Sequence, residues 1–163
     1  MKIIVLSRSE AKAFTCEVPW ACISIATESA DLPKINKVQQ VGLLQLVFAD
    51  VDTQEKLTYL QEEVGIKSCL FNVQHANLVL DFIRDLKDKI EVLMVHCTAG
   101  VSRSPAVAAA ITKIMGEDDT DWFRRKCPNA LVYRTILDTA FKRGEYDPFV
   151  FEDMPDIEGK CNY

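Results

Sequence analysis

Apolar residues along this chain alternate between short dense runs and longer stretches spaced three and four apart, as in strands interleaved with helices. Four runs predict strands, over residues 3–6, 21–26, 41–48 and 91–96. From 72 to 86, Ala76, Val79, Phe82, Ile83 and Leu86 share one helical face, with Asn72 as the N-cap. Residues 105–115 are apolar nearly all round, as a helix enclosed on every side would be. Asp119 or Thr120 caps a short helix to about Lys126. Pro128-Asn129 then opens a last helix with Ala130, Val132, Ile136, Leu137 and Ala140 inward, ending near Gly144. Leu57, Leu60 and Val64 suggest a short extra helix within 53–65. The alternation predicts an α/β single domain with a central, mostly parallel sheet of four or five strands flanked by helices.

Composition narrows this picture. A chain of 163 residues with 48% hydrophobic residues has room for one core and no second domain. Residues 1–144 form that domain, and 145–163 form an acidic tail; whether its Phe149 and Phe151 dock on the domain is left open. The longest apolar runs are far short of a membrane span. The basic-then-apolar start Met1 to Leu6 is followed by Ser7-Arg8-Ser9-Glu10 without a cleavage signal, so it reads as a first strand and cytoplasm is the expected location. A net charge of −5 argues against nucleic acid as the main partner. Six cysteines without a short repeated spacing read as reduced thiols. With only two histidines and no Cys-x-x-Cys pair, no zinc site is expected.

Candidate chemistry concentrates in His96-Cys97-Thr98-Ala99-Gly100-Val101-Ser102-Arg103-Ser104, between an apolar strand and a predicted helix. A bare Cys-x5-Arg arises often by chance. Requiring Ser or Thr after the arginine and Gly three after the cysteine lowers the odds to roughly one in a thousand, so the pattern is a strong signal. The spacing has a physical reason. Five intervening residues let the backbone curl into a nest of inward N–H groups at a helix N-terminus, which binds a phosphate dianion and stabilises a thiolate. Gly100 permits backbone angles that a side chain opposes. Arg103 can grip two phosphate oxygens with its planar fork, and Ser104 can donate a hydrogen bond to the Cys97 sulfur.

This segment resembles the signature loop of the protein tyrosine phosphatase superfamily, and the short chain is similar to its compact dual-specificity branch. The resemblance covers roughly residues 40–142; the first 40 fit only as generic strands. It implies Cys97 as nucleophile through a cysteinyl-phosphate intermediate, with no metal and no cofactor. Thr98, Ala99, Gly100, Val101, Ser102 and Arg103 would hold the phosphate, with His96 and Ser104 in support. It also implies an aspartate on a separate loop that protonates the leaving oxygen and then activates water. The matching stretch is Leu46-Val47-Phe48-Ala49-Asp50-Val51-Asp52. An acid two residues after a strand-ending Phe selects Asp50. Asp52 stays as the alternative, because Asp52-Thr53 also resembles an acid-loop ending.

Plainer readings bear on the remaining residues. His75 is expected to face solvent, Trp20 and Trp122 to pack, and Arg124-Arg125-Lys126 to form a solvated helix face. Any of Cys16, Cys22 or Cys69 could pair with an oxidised Cys97, and the sequence selects none. The expected partner is a phosphoprotein or phosphopeptide. The alternatives are a phosphoinositide phosphatase or RNA 5′-triphosphatase on the same loop, a rhodanese-like sulfur transferase, and a non-catalytic phosphoprotein-binding module. The neutral residues between Cys97 and Arg103 favour phosphoproteins over highly anionic substrates.

Overall fold

In the computed structural model, which describes residues 1–148, the strands are β1 (Lys2–Ser7), β2 (Trp20–Ala26), β3 (Gln40–Val47) and β4 (Val92–Cys97). They form one sheet in the order β1-β4-β2-β3 with every pairing parallel. Helices α1 (Arg8–Ala13), α2 (Gln54–Tyr59), α3 (Val73–Leu86), α4 (Arg103–Ile114), α5 (Thr120–Arg125) and α6 (Ala130–Lys142) follow the strands in the chain. A turn of π-helix, Leu60–Val64, prolongs α2 and stops at Gly65, whose φ of 75° breaks the run. The part of the acidic tail from 149 to 163, including Phe149 and Phe151, lies outside the described residues.

Strand alternation divides the core into two layers. Ala21, Ile23 and Ile25 of β2 and Leu93, Val95 and Cys97 of β4 join one cluster with Ala76, Val79 and Ile83 of α3, Ala106, Val107, Ala110 and Ile111 of α4, and Val132, Ile136 and Ala140 of α6. The opposite residues, Trp20, Cys22 and Met94, pack with Ala11 of α1 in a smaller cluster. Both faces of β2 are therefore covered, which explains why all seven of its residues are buried and apolar or small. Trp20 anchors the thin layer through an indole N–H donated to the Val38 carbonyl at 2.7 Å and an edge-on contact with Phe14 at 5.0 Å.

Three sequence expectations need correction. Residues 8–13 form a helix where none was expected; it is under two turns long, and its apolar content is too small to show a period. His75 does not face solvent. It is half-buried, stacks on Phe71 with ring centroids 5.4 Å apart, and its Nδ1 accepts the Asn72 N–H at 3.2 Å. The third position of a capped helix turns a side chain back over the cap, and here that direction meets the Phe48–Phe71 pair. Ala130 is exposed, because as the first residue of α6 it sits at the helix entrance rather than over the sheet.

Candidate active site

An all-parallel sheet sends all four strand ends to one edge, where open α/β sheets form their crevices. Here β4 delivers Cys97, β2 runs into Thr27, β3 runs into Phe48 and Asp50, and β1 ends at Ser7 beside the loop. The chain after Cys97 curls from 98 to 102 and enters α4 at Arg103. Gly100 makes the tight part of the curl with φ of 70°. A Cβ there would lie 2.9 Å from the Leu6 carbonyl group and the Ser7 nitrogen. The loop is clasped from both sides: Arg8 N–H donates to the Thr98 carbonyl at 3.2 Å, and Cys127 N–H to the Val101 carbonyl at 3.1 Å.

The Cys97 sulfur sits at the floor of this curl, on a residue only 2% exposed. It accepts the Ser104 hydroxyl at 3.1 Å and the Gly100 N–H at 3.3 Å. Burial by itself pushes the thiol's pKa up. The Ser104 hydroxyl and N–H, the Gly100 N–H and the Arg103 charge outweigh it, and hold the group below an ordinary thiol. The sequence-predicted Ser104–Cys97 hydrogen bond is present. His96 points to the other face of the sheet, where a ring nitrogen meets Ser24 Oγ at 2.7 Å; burial lowers its pKa and keeps the ring neutral.

Arg103 is 3% exposed and held by three acceptors. Nη1 donates to the Phe48 carbonyl at 2.8 Å and to Thr27 Oγ1 at 3.2 Å, and Nη2 donates to Thr98 Oγ1 at 3.0 Å. Its guanidinium also lies 5.9 Å from the Phe48 ring centroid. Nε has no hydrogen-bond partner, with Asp50 Oδ2 at 3.8 Å. The fork is thus fixed in direction, and Nε is its one nitrogen without an acceptor.

The two candidate carboxylates go to different neighbours. Asp50 joins the loop: its Oδ1 accepts the Ser102 hydroxyl at 2.6 Å and the Asn129 amide at 3.1 Å. Asp52 is exposed and binds Lys56 Nζ at 2.6 Å, a hydrogen bond that holds its carboxyl below the usual range. Thr98, Ala99 and Val101 are exposed at the rim, whereas Gly100 is buried. Sequence reasoning did not single out Thr27, and it read Asn129 only as the start of a helix. Among the described residues, no cluster of His, Cys, Asp or Glu is arranged to hold a metal ion. Cys16, Cys22, Cys69, Cys97 and Cys127 are free thiols. None of the helices among the described residues is long and apolar enough to cross a membrane.

No family model and no curated protein matches the chain. Solved structures do. The human tyrosine phosphatase-like serine/threonine/tyrosine-interacting protein superposes with a TM-score of 0.57 at 21% identity, covering 86% of this chain and 92% of that one. A single-residue variant of human DUSP28 gives 0.51 at 15% identity, over 87% and 91%. PTPMT1, solved in complex with PI(5)P, gives 0.52 at 11% identity, over 86% and 91%. At such identities the likeness concerns the backbone, and it extends over nearly the whole of each of these structures. The chain therefore has the α/β fold of the dual-specificity and tyrosine phosphatases.

Proposed function

We propose that the protein is a cysteine-dependent phosphatase that hydrolyses phosphotyrosine, and phosphoserine or phosphothreonine, through a cysteinyl-phosphate intermediate. The observation that carries this reading is the pairing at the loop floor. A buried sulfur accepts two hydrogen bonds that favour the thiolate, beside a buried arginine with an unused Nε donor. A structural cysteine has no need of either.

In the first step the Cys97 thiolate attacks phosphorus, the bond from phosphorus to the leaving oxygen breaks, and Asp50 passes its proton to that oxygen. Arg103 and the loop N–H groups hold the phosphoryl oxygens as charge spreads over them. In the second step water attacks phosphorus and gives a proton to Asp50. The sulfur leaves as thiolate, assisted by the Ser104 hydroxyl, and inorganic phosphate is released. Asp50 is chosen over Asp52 because its carboxylate is tied to the loop residue Ser102 and lies nearest Arg103 Nε, while Asp52 is engaged by Lys56.

A second reading takes a phosphoinositide as substrate. PTPMT1 was solved with PI(5)P, and its backbone is similar to this one. Against it, residues 98–102 add no cation to the loop, so a headgroup bearing several phosphates meets only Arg103 there. The test is hydrolysis of para-nitrophenyl phosphate, of phosphopeptides and of a water-soluble PI(5)P, by wild type and Cys97→Ser with EDTA present. Turnover of phosphopeptides that vanishes in the variant is expected. Turnover confined to the lipid headgroup would replace the substrate class, and phosphopeptide binding without phosphate release would replace the enzyme with a binding module.

A further inference from the structure

Resting on the phosphatase reading, we propose that Asn129 is a positioning residue that aims the proton of Asp50 at the leaving oxygen. Asn129 joins three parts of the site. Its side-chain oxygen caps α6 by accepting the Val132 N–H at 3.2 Å, and its own N–H donates to the Ser102 carbonyl at 3.1 Å. Its amide nitrogen is thereby turned towards the acid loop, where it donates to Asp50 Oδ1 at 3.1 Å and to the Val51 carbonyl at 3.4 Å. The residue is 8% exposed, so the amide is fixed at its own end, while the Asp50 carboxylate it meets stays open to solvent and substrate.

The consequence is a choice between the two carboxylate oxygens. Oδ1 already accepts Asn129 Nδ2–H and the Ser102 hydroxyl, at 3.1 and 2.6 Å. A proton on Oδ1 would face two donors and displace one of them. The proton therefore resides on Oδ2, the oxygen that lies 3.8 Å from Arg103 Nε. Since that nitrogen is the one in the phosphate clamp that has no acceptor, the acidic proton is directed towards the bound phosphoryl group. During the first step it moves from Oδ2 to the leaving oxygen, which keeps the electron pair of the breaking bond to phosphorus. Ser102 belongs to the loop and Asn129 to the entrance of α6, so the acid loop is aimed by the same backbone that shapes the cradle.

Leaving-group dependence separates this role from a structural one. An acid in place matters most for a poor leaving group and least for an activated one. Wild type, Asn129→Ala and Asn129→Ser are compared on aryl phosphates from activated phenols to phenol itself. Serine keeps a good α6 cap but is too short to reach Asp50, so it tests the amide donor even if the alanine variant folds poorly. The expected result is a rate loss on phenyl phosphate of about 10- to 100-fold, shrinking steadily towards the activated esters, with inhibition by inorganic phosphate unchanged. Equal losses across the series, or no loss in Asn129→Ser, would overturn the proposal while leaving the phosphatase reading intact. A folded, reduced wild type without Cys97-dependent turnover would overturn that reading and the proposal together.

Discussion

Replacing Gly100 with alanine is expected to damage both the stability of the fold and the site, and the structure gives the size of each effect. The residue has φ of 70°, where a side chain costs on the order of 1–2 kcal/mol. The new Cβ would also lie 2.9 Å from the Leu6 carbonyl carbon, its oxygen and the Ser7 nitrogen. All three are backbone atoms at the end of β1, in register with His96 and Cys97, so no flexible side chain can move aside. Reaching ordinary contact requires the loop and β1 to part by about 0.5 Å. Overpacking of this kind typically costs about 1–3 kcal/mol. Together the two terms come to roughly 2–5 kcal/mol, a fall in Tm on the order of 5–15 °C for a domain of this size.

The activity loss follows from the same displacement. Gly100 N–H is one of the hydrogen-bond donors to the Cys97 sulfur, and the curl it closes aims the loop amides. Losing one such donor typically costs about 10²–10³ in rate. Gly65 provides the control: its φ is 75°, yet a Cβ there meets nothing within 4 Å. Gly65→Ala should therefore lose only about 1–2 kcal/mol and keep its activity. The assay is thermal unfolding with kcat/KM on para-nitrophenyl phosphate for both variants. If Gly100→Ala unfolds no earlier than Gly65→Ala and turns over as wild type does, the close approach of loop and β1 is not what shapes the site.

Alkylation of Cys97 by iodoacetamide should rise with pH around a midpoint below that of an ordinary thiol, because the hydrogen bonds to sulfur favour the anion. Ser104→Ala removes the side-chain donor, so the midpoint should move up and phosphoenzyme breakdown should slow, visible as a larger burst before steady state. Arg103→Lys should lower kcat/KM by about 10²–10³, since a single ammonium cannot reach the Phe48 carbonyl, Thr27 and Thr98 and still offer a donor to phosphate. Near-normal activity in that variant would show that the fork geometry is dispensable. Asp50→Asn should reduce kcat on phenyl phosphate by about 10²–10⁴, and Asp52→Asn by less than about threefold; the reverse order would transfer the acid role to Asp52.

How far the sequence reaches into this site depends on how locally each part is determined. Cys97, Gly100, Arg103 and Ser104 act through a loop of a few residues, and the chemistry of wrapping a phosphate dictates their spacing, so reading along the chain finds them. The helix at Arg8–Ala13 escaped that reading: its apolar content is too small to show a period, and its one local mark is the capping box that Ser7 and Glu10 form. The contacts of Thr27 and Asn129 are a different matter. Thr27 is 76 residues from Arg103 and Asn129 is 79 from Asp50, and neither position carries a local signal of what it will meet. Strand order makes the first contact: because β2 lies next to β4 and parallel to it, the residue after β2 arrives beside the start of α4.

Two-sided burial hides a further choice. In a strand covered on both faces, apolar character does not reveal which residues face which layer, so the sequence offers His96 as support for the Cys97 loop without showing which side of the sheet it takes. The pleat separates them. It sends Cys97 to the layer of α3, α4 and α6 and His96 to Ser24 on the other side. That separation also decides what His96 can do. With its ring beyond the sheet from the sulfur and burial keeping it uncharged, it cannot serve as the base that ionises Cys97. The thiolate must be stabilised from the helix side, by Ser104, Gly100 and Arg103. These are the residues whose spacing the sequence displays.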